Sequence, residues 1–571
     1  MEELTSSQKG RIAVRVFKTT AEALTLRGYY RVRGKSGEVL SRVLKDLSPE
    51  IYGALQNPRI VELDGLQYVL DRLPGGIAEC RRIVLTAQED LEGTSFQMIR
   101  PPKRRRNSYR VSDHEMCFVI TRGMSEIYDI LTHLTFLHME ADKISRQMKD
   151  GHGRPRQEWA AVEKSAAPEN PLTRENLEHA LWNLSVVLGQ TFKETQSAEK
   201  AIESNRSSAS DHGSLFKIIS DLGHIAGKEK ADPEDAVVVI FTPSLIEMIV
   251  KNTNGKKWAD TVKERLHELG FAHRPLHIIS ANMHSIVNSL YACAAAKETG
   301  IGTSSDDLVT FIRSIRDDTE SIIDFASHHG LHLVPDTSGS QIDCQIIDTC
   351  QLPDVQCHPE VGLDWEYIAA EKPVILVMDY AFGAQAFGVM DELLAPRLEE
   401  DLDTCLNIRS ISIMGKAGIL PGKKGDIMLA TGHVHEGIPE NYAVANRLSA
   451  SDFDGSLPVY KGPIVTVLGT SLQNRDILKR FFKSSWNAVG LEMEGCHYQR
   501  AISAAIMRRH ISKNVTLMYA YYASDNPLVS GQTLASGGLG DEGIAPTYQI
   551  SRAILSKILN PEKTAGAPAG E

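Results

Sequence analysis

Hydrophobic residues follow two different patterns along the chain. Short continuous apolar runs, rich in β-branched residues, stand at residues 236–241, 276–280, 374–380, 410–415, 463–469 and 515–524. Runs of this length and composition are typical of strands that are buried on both faces of a parallel sheet. Residues 125–148 instead repeat their apolar side chains every three or four positions, which predicts a helix. Because the strand-like runs alternate with helical segments, the sequence predicts an α/β fold.

The same patterns divide the chain into five predicted regions. Residues 1–150 predict a mainly helical domain, and residues 151–235 predict a polar linker that contains a helix. Residues 236–365 predict a small parallel α/β domain, and residues 366–558 a larger α/β domain with at least four more strands. The tail, residues 559–571, is predicted to be disordered.

Composition narrows the function classes. The 571 residues carry 62 Lys and Arg against 73 Asp and Glu, a net charge of −11, which argues against a dedicated nucleic-acid-binding protein. No apolar run has the length of a membrane span, and the N-terminus lacks the apolar core of a signal peptide. We therefore predict a cytoplasmic protein with no membrane partner. The eight cysteines include no Cys-x-x-Cys pair, so reduced thiols are favoured over a metal site.

Three short groups of residues stand at the predicted ends of strands or, for Glu492-Met493-Glu494, at the start of a predicted helix. They are Gly415-Lys416-Ala417-Gly418, Glu492-Met493-Glu494 and Ser524-Asp525. A turn of small residues directly after a strand lets the backbone come close to a ligand. Ligands of open α/β sheets bind where the carboxyl ends of strands meet. We therefore expect the three groups to contribute to one ligand site.

These motifs resemble the nucleoside phosphorylase and nucleosidase superfamily, which includes purine and uridine phosphorylases. Members carry a Gly-rich turn, a Gly-Asp-Ile segment, a Glu-Met-Glu motif that opens a helix, and a Ser-Asp pair that ends a late strand. All four occur here in that order, within residues 372–558. The whole chain also resembles a little-characterised bacterial family of longer proteins that end in this domain. The resemblance implies a three-layer catalytic domain that cleaves N-glycosidic bonds.

The resemblance assigns roles to five residues. Asp525 donates a proton to the leaving purine, and Ser524 orients it; an Asp at an apolar strand end can have a raised pKa and stay protonated. Glu494 accepts hydrogen bonds from the ribose hydroxyls, and Met493 packs on the sugar. Glu492 positions a nucleophilic water or holds the loop. The family implies a homo-oligomer, and the chemistry implies no metal or redox cofactor.

Lys416 departs from the pattern of the phosphorylases. These enzymes have an arginine before the turn and a hydroxyl residue within it, and both grip phosphate; here Lys416 occupies the hydroxyl position. A lysine binds phosphate as a point charge. With Gly415 to Gly418, it is predicted to hold either inorganic phosphate as co-substrate or the 5′-phosphate of a nucleotide. Hydrolysis and phosphorolysis both stay open, because no glutamate matches the water-activating base of the hydrolases.

Simpler interpretations exist for each motif. Glu492 and Glu494 also suit a helix N-terminus, where the dipole favours acids. Asp525 precedes Asn and Pro and fits a plain turn, and Lys416 fits a solvated surface. A second hypothesis for the whole protein is a catalytically silent nucleotide sensor, with the N-terminal region as its output. A third is nucleic-acid binding through the basic residues 103–106, which the acidic net charge disfavours.

Overall fold

The computed structural model describes residues 4–53, 55–104, 106–167, 174–204, 212–231, 236–399, 402–529 and 540–561. The chain divides into two compact units. The first unit comprises Met1–Lys251 and Leu468–Ile477, and the second comprises Asn252–Val467 and Leu478–Glu571. Each unit combines helices with a sheet, so the predicted α/β class is confirmed.

In the residues that the structure describes, helices dominate the first unit, which also contains a six-stranded sheet. The helices are α1 (Ser6–Arg27), α2 (Lys35–Leu47), α3 (Leu63–Leu70), α4 (Met124–Gln147), α5 (Gln157–Ala166), α6 (Arg174–Leu188), α7 (Phe192–Ser204), α8 (Leu215–Ala231) and α9 (Pro243–Lys251). The strands are β1 (Tyr29–Arg31), β2 (Arg82–Thr86), β3 (Gln97–Ile99), β4 (Ser108–Ser112), β5 (Glu115–Val119) and β6 (Val238–Phe241). They form one sheet in the order β1-β6-β2-β5-β4-β3.

The region predicted as a polar linker that contains a helix, residues 151–235, does contain that helix as α6, but the part that the structure describes is more helical than predicted. Four helices, α5 to α8, occupy it, and Trp159 and Val162 of α5 are buried. These two apolar residues lie three positions apart on one face of the helix. The polar and Gly/Pro-rich residues around them concealed that short apolar face from the sequence pattern.

The second unit holds the remaining elements. Its helices are α10 (Thr253–Glu268), α11 (Ser285–Thr299), α12 (Leu308–Ser314), α13 (Thr319–Ser327), α14 (Trp365–Glu371), α15 (Gln385–Leu394), α17 (Gly495–Met507) and α18 (Ile544–Leu559), while α16 (Arg475–Lys483) contains the point where the chain returns from the first unit. Its strands are β7 (Leu276–Ser280), β8 (Leu331–Val334), β9 (Cys344–Asp348), β10 (Val374–Met378), β11 (Arg397–Glu399), β12 (Leu402–Thr404), β13 (Ile408–Ile419), β14 (Ile427–His435), β15 (Asn441–Ala443), β16 (Val459–Thr466), β17 (Gly490–Glu492) and β18 (Thr516–Asp525).

One large sheet organises this unit, in the order β15-β14-β16-β17-β13-β7-β10-β9-β8. Strand β18 pairs with both β13 and β14, and β17 pairs with both β13 and β16. With the parallel pair β14 and β16, these contacts close a ring of five strands. The long strand β13 joins the ring to the rest of the sheet, because its first half pairs with β7.

Helices cover both faces of the sheet. Along β10, Val374 and Leu376 point into a core that includes α10, α15 and α17. Ile375 and Val377 point into a second core, which includes α11, α13 and α18. Alternation with a period of two along a strand is what separates two faces. The predicted three-layer arrangement is therefore confirmed.

The boundaries predicted at residues 235/236 and 365/366 are not boundaries in the structure. The strand at 238–241 joins the sheet of the first unit, whereas β7, β8 and β9 join the same sheet as β10 and β13. The cause is pairing across distance: β7 aligns in parallel with β10 on one side and β13 on the other. The pattern of apolar runs identifies strands but carries no information about which strands pair.

Two further predictions concern the C-terminal tail and membrane-spanning helices. Helix α18 continues to Leu559, and residues 562–571 of the predicted disordered tail lie outside the described residues. Among the described helices, none combines the length and the apolar character that crossing a membrane requires.

Candidate active site

The ends of β17 and β18 lie on opposite sides of β13. Gly418 of β13 is aligned with Leu491 on β17 and with Asp525 on β18. Neighbouring strands are about 4.8 Å apart, so the two flanking backbones are roughly 10 Å from one another. Glu492 is the last residue of β17, and Asp525 is the last residue of β18. The ring of strands therefore brings the Glu-Met-Glu and Ser-Asp motifs to one place.

Glycines allow this close approach of β13 and β17. A Cβ atom on Gly490 would lie 2.9 Å from the Gly418 carbonyl oxygen and 2.5 Å from the sulfur of Met428. A Cβ atom on Gly418 would lie 2.8 Å from a methyl carbon of Leu491. These distances are shorter than van der Waals contacts, so a larger residue at either position would push the two strands apart.

Glu492 is held by the protein through both carboxylate oxygens. Thr466 Oγ1 donates to Oε1 at 2.5 Å, and the Glu494 amide donates to Oε2 at 2.5 Å; the Gly495 amide also donates to Oε2. The Cys496 amide donates in turn to Thr466 Oγ1 at 3.0 Å. Burial raises the pKa of Glu492, and these donors only partly oppose the effect.

Glu494 stands at the N-cap of α17 and is half-buried. Its Oε1 accepts a hydrogen bond from the Gly383 amide at 2.8 Å, and its Oε2 accepts one from the Met493 amide at 3.3 Å. Burial raises the pKa of Glu494, and the nearby Glu492 charge raises it further, while the two amides and Lys416 lower it less. Two acidic groups placed this close without a guanidinium between them favour retention of a proton.

Asp525 is buried and faces its neighbour Ser524. Ser524 Oγ lies 2.7 Å from Asp525 Oδ1 and 3.2 Å from the carbonyl oxygen of Ala417, and its single proton serves one acceptor at a time. In the described part of the chain, no group donates a hydrogen bond to Asp525 Oδ2. Burial raises the pKa of Asp525, whereas Ser524, Lys424 and Lys416 lower it to a smaller extent.

Residues 415–418 are not the predicted turn. Strand β13 continues through them to Ile419, because β18 pairs with it up to Gly418 and β17 pairs with it from Gly418 onward. The register shifts between Ala417 and Gly418, which is the only irregularity in the described β13–β18 ladder. The small residues thus permit close strand packing rather than a reversal of the chain.

Lys416 is exposed and connects the two acidic groups electrostatically. Its positive charge lowers the pKa of both Glu494 and Asp525. The side chain of Met493, predicted to contact a sugar, is buried. Its backbone amide donates a hydrogen bond to the Glu494 carboxylate. The structure therefore groups the three predicted motifs around one site.

Two contributors to the site were not predicted. Thr466 ends the parallel strand β16, and Gly383 follows β10 with a φ of 55°, in the left-handed region. Each donates a hydrogen bond to one of the two glutamates. Their positions at the carboxyl ends of strands were the available signal, since such ends meet at one edge of a sheet. A lone Thr or Gly after a strand is too common to single out.

Of the basic residues 103–106, the three that the structure describes, Lys103, Arg104 and Arg106, each form an ion pair. Arg106 has only 2% of its side chain exposed and binds Glu126 and Asp129, at 2.8 and 3.0 Å. Arg104 also binds Asp129, and Lys103 binds Asp71. Glu126 and Asp129 belong to α4, and Asp71 directly follows α3. The sequence around residues 103–106 does not reveal these partners. Among the described residues, no cluster of three or more His, Cys, Asp or Glu side chains is arranged to hold a metal ion.

Comparison with solved structures finds similarity to nucleoside phosphorylases and nucleosidases. Uridine phosphorylase from Schistosoma mansoni is 12% identical over 55% of this chain and 91% of its own, with a TM-score of 0.30. AMP nucleosidase from Bacteroides thetaiotaomicron is 12% identical over 54% of this chain and 99% of its own, with a TM-score of 0.29. The 5′-methylthioadenosine/S-adenosyl homocysteine nucleosidase from Campylobacter jejuni is 11% identical over 50% of this chain and 98% of its own, with a TM-score of 0.29.

Curated proteins gave no match to this sequence. The chain belongs to the family described as a family of unknown function, DUF6909, whose profile matches residues 44–321 and 307–560. The matched residues extend through both units and include every residue of the candidate site.

Proposed function

We propose that this member of the DUF6909 family cleaves the N-glycosidic bond of a purine nucleoside or nucleotide. The observation that carries the proposal is that Asp525 and Leu491, three residues before Glu494, flank Gly418 on its two sides, while the charge of Lys416 acts on both Glu494 and Asp525. The separation of about 10 Å between the flanking strands suits a ligand with a sugar at one end and a base at the other. The motif resemblance of residues 372–558 to nucleoside phosphorylases and nucleosidases supports the same reaction.

Glu494 is assigned to the sugar. A carboxylate offers about four acceptor positions, and the amides of Gly383 and Met493 use two of them. The ribose 2′- and 3′-hydroxyls are two adjacent donors that match the remaining capacity. Positive charge develops on the sugar ring as the bond breaks, which favours ionisation of Glu494, so its carboxylate stabilises the transition state more than the ground state.

Asp525 is assigned to the base. The C1′–N9 bond breaks and its electron pair goes to the purine, which takes a proton from Asp525 on N7. Water, or inorganic phosphate, forms the new bond to C1′, and a proton returned from the solvent or the attacking water restores the acid. The raised pKa and the unbonded Oδ2 favour a protonated, donating Asp525.

Glu492 and Lys416 have supporting roles in this proposal. Because both oxygens of Glu492 accept hydrogen bonds from Thr466 and the start of α17, we assign it to holding Glu494 in place rather than to the reacting atoms. Lys416 binds phosphate, either as a co-substrate or on the 5′ carbon of the substrate. No step of the proposed reaction uses a metal or a redox cofactor, and a homo-oligomer stays a prediction.

The test is a base-release assay on the purified full-length chain. Purine and pyrimidine nucleosides and their 5′-monophosphates are incubated with and without inorganic phosphate. Base release that needs phosphate identifies a phosphorylase, and release without phosphate identifies a hydrolase. A preference for monophosphates would assign Lys416 to the 5′ end of the substrate.

Variants connect that assay to the site. Glu494→Gln and Asp525→Asn are compared with matched controls of the same chemistry, Glu366→Gln and Asp306→Asn, at exposed positions. The site variants should lose base release while the controls keep it. Nucleotide binding without any base release by the wild type would overturn the proposal in favour of the sensor.

A further inference from the structure

The first unit contains a cavity of about 660 Å³ that none of the preceding assignments uses. One face of α2, from Glu38 to Asp46, and one face of α4, from His138 to Arg146, form its walls. Residues 31–34, between β1 and α2, close one end, and residues 55–58 line another side. The volume lies in the range of small-molecule binding sites, about 300–1,000 Å³.

Local packing fixes the cationic residues at the closed end. A Cβ atom on Gly37 would overlap the carbonyl oxygen of Val32, so only glycine lets the first turn of α2 lie directly against the chain that leaves β1. Arg31 and Arg33 are thereby held on either side of Val32, at the start of the helix. Arg33 also forms an ion pair with Asp142 of α4, which connects the two walls.

The lining of the cavity is strongly positive. Its cationic members outnumber its acidic ones six to three among the described residues. The cations are Arg31, Arg33, Arg42, Lys45, Lys143 and Arg146, and the acids are Glu38, Asp46 and Asp142. This excess is opposite in sign to the net charge of −11 of the whole chain. Within the part of the chain that the structure describes, no ion pair engages Arg42, Lys45 or Arg146.

Helix α2 adds to the attraction for anions. It is 13 residues long, and its N-cap is Gly34, which has no side chain to cap the first amides. Gly34 itself lines the cavity. Uncapped amides and the helix dipole together favour a negative group at this end, in addition to the guanidinium and ammonium groups.

We propose that this cavity binds a phosphorylated small molecule that carries two or more negative charges. Guanidinium groups bind phosphate oxygens in pairs, and cationic residues of both α2 and α4 line the cavity. Leu55, Pro58 and Met139 supply an apolar part of the wall for the organic portion of the ligand. The site belongs to the first unit and is independent of the reaction proposed for the second.

The experiment is isothermal titration calorimetry on the full-length chain in 150 mM NaCl. The probes are inorganic phosphate, pyrophosphate, a sugar phosphate and a nucleoside diphosphate, which distinguish the possible sources of the phosphate group. We expect the organic phosphates or pyrophosphate to bind and the binding to weaken as salt is raised. A single-stranded oligonucleotide is titrated in addition to these four probes. Binding of none of the four probes would overturn the proposal, as would binding of the oligonucleotide alone.

Three kinds of variant locate the binding. Arg42→Gln and Arg146→Gln should each weaken binding about tenfold, because each removes a charge-assisted hydrogen bond. Arg154→Gln is the matched control, since Arg154 is exposed and lies outside the cavity lining. Glu494→Gln, in the second unit, should leave the binding of pyrophosphate unchanged, because pyrophosphate has no sugar for Glu494 to contact. An equal loss in the Arg154 variant, or a loss only in the Glu494 variant, would overturn the assignment. All three arginines are exposed or at the rim, and thermal unfolding checks that each variant folds.

Discussion

Each unit buries a cluster of carboxylic acids, and the two clusters differ in what surrounds them. In the first unit, burial raises the pKa of Asp129, but Arg104, His133 and Arg106 bring it well below its usual value. In the second unit, Glu492 and Glu494 meet backbone amides and a hydroxyl, and burial raises the pKa of both. Buried carboxylic acids thus favour the ionised form in one place and the protonated form in the other.

The difference separates acids that the fold neutralises with cations from acids that have no such partner in the described residues and a raised pKa. Asp129 is satisfied by cations that the fold itself supplies, so its charge contributes to the cohesion of α4 and the loop before β4. Glu494 and Asp525 keep unused acceptor or donor capacity and a raised pKa, which is typical of functional sites. The comparison predicts that changes in the first cluster reduce stability and changes in the second reduce activity.

The largest expected effect is on catalysis. Asp525→Asn should lower kcat for base release about a hundred- to ten-thousandfold, because an amide cannot deliver the proton that the leaving purine needs. Substrate affinity, measured by calorimetry, should change little. Asp306→Asn is the control. A kcat within threefold of the wild type would mean that Asp525 is not the acid.

Next in size is the loss of stability from breaking the first cluster. Arg106→Gln leaves Glu126 and Asp129 short of their shared cation, and removal of one partner of a buried ion pair costs about 3–5 kcal/mol. Urea unfolding followed by tryptophan fluorescence measures the change, with the exposed Arg154→Gln as control. Base release in the absence of urea should persist. A loss below 1 kcal/mol would show that the cluster does not hold the unit together.

A smaller effect depends on pH. The folded-state pKa of Glu494 is raised from 4.5 to about 8, so the folded chain binds this proton more tightly than the unfolded chain. The wild type therefore loses stability from this group as pH rises from 4.5 towards 8. Glu494→Gln does not titrate, so its stability relative to the wild type should increase by about 3 kcal/mol between pH 5 and pH 8. Urea titrations at the two pH values measure it, and a constant difference would contradict the raised pKa.

The smallest expected effect concerns Ser524. Its hydroxyl lowers the pKa of Asp525, so Ser524→Ala should move the alkaline limb of the pH–rate profile to higher pH. We also expect kcat to fall about tenfold as the orientation of Asp525 loosens. A loss of activity with an unmoved alkaline limb would give Ser524 a structural role through Ala417 instead.

The sequence predicted the strands and the motifs better than their pairing. Asp525 does end a very apolar strand, and Glu494 does precede a helix, because both features depend on local pattern. Residues 415–418 were expected to turn since small residues follow an apolar run. They extend instead, because β17 and β18 supply hydrogen bonds from far along the chain. Propensity is a weak prior when a long-range partner is present.

The sequence also did not reveal which residues form ion pairs and hydrogen bonds with the charged side chains. Arg106 looked solvated because two prolines and three other basic residues precede it, yet Glu126 and Asp129 bury it. Gly383 contributes a backbone amide to the site and Thr466 contributes a hydroxyl group, and neither residue belongs to a recognisable sequence motif. Residue types at strand ends can be predicted from sequence, whereas the donors that fix their protonation depend on the finished topology.

The closed ring of strands also determines when activity can arise during folding. Ala417 and Ser524 touch although 107 residues separate them, and pairings between such distant segments form slowly. Strand β17 contributes only three residues, too few to persist before β13 and β16 flank it. We therefore expect Glu492 and Asp525 to come together in a late step. A chain emerging from the ribosome would have no competent site until Asp525 had cleared the exit tunnel and the ring had closed.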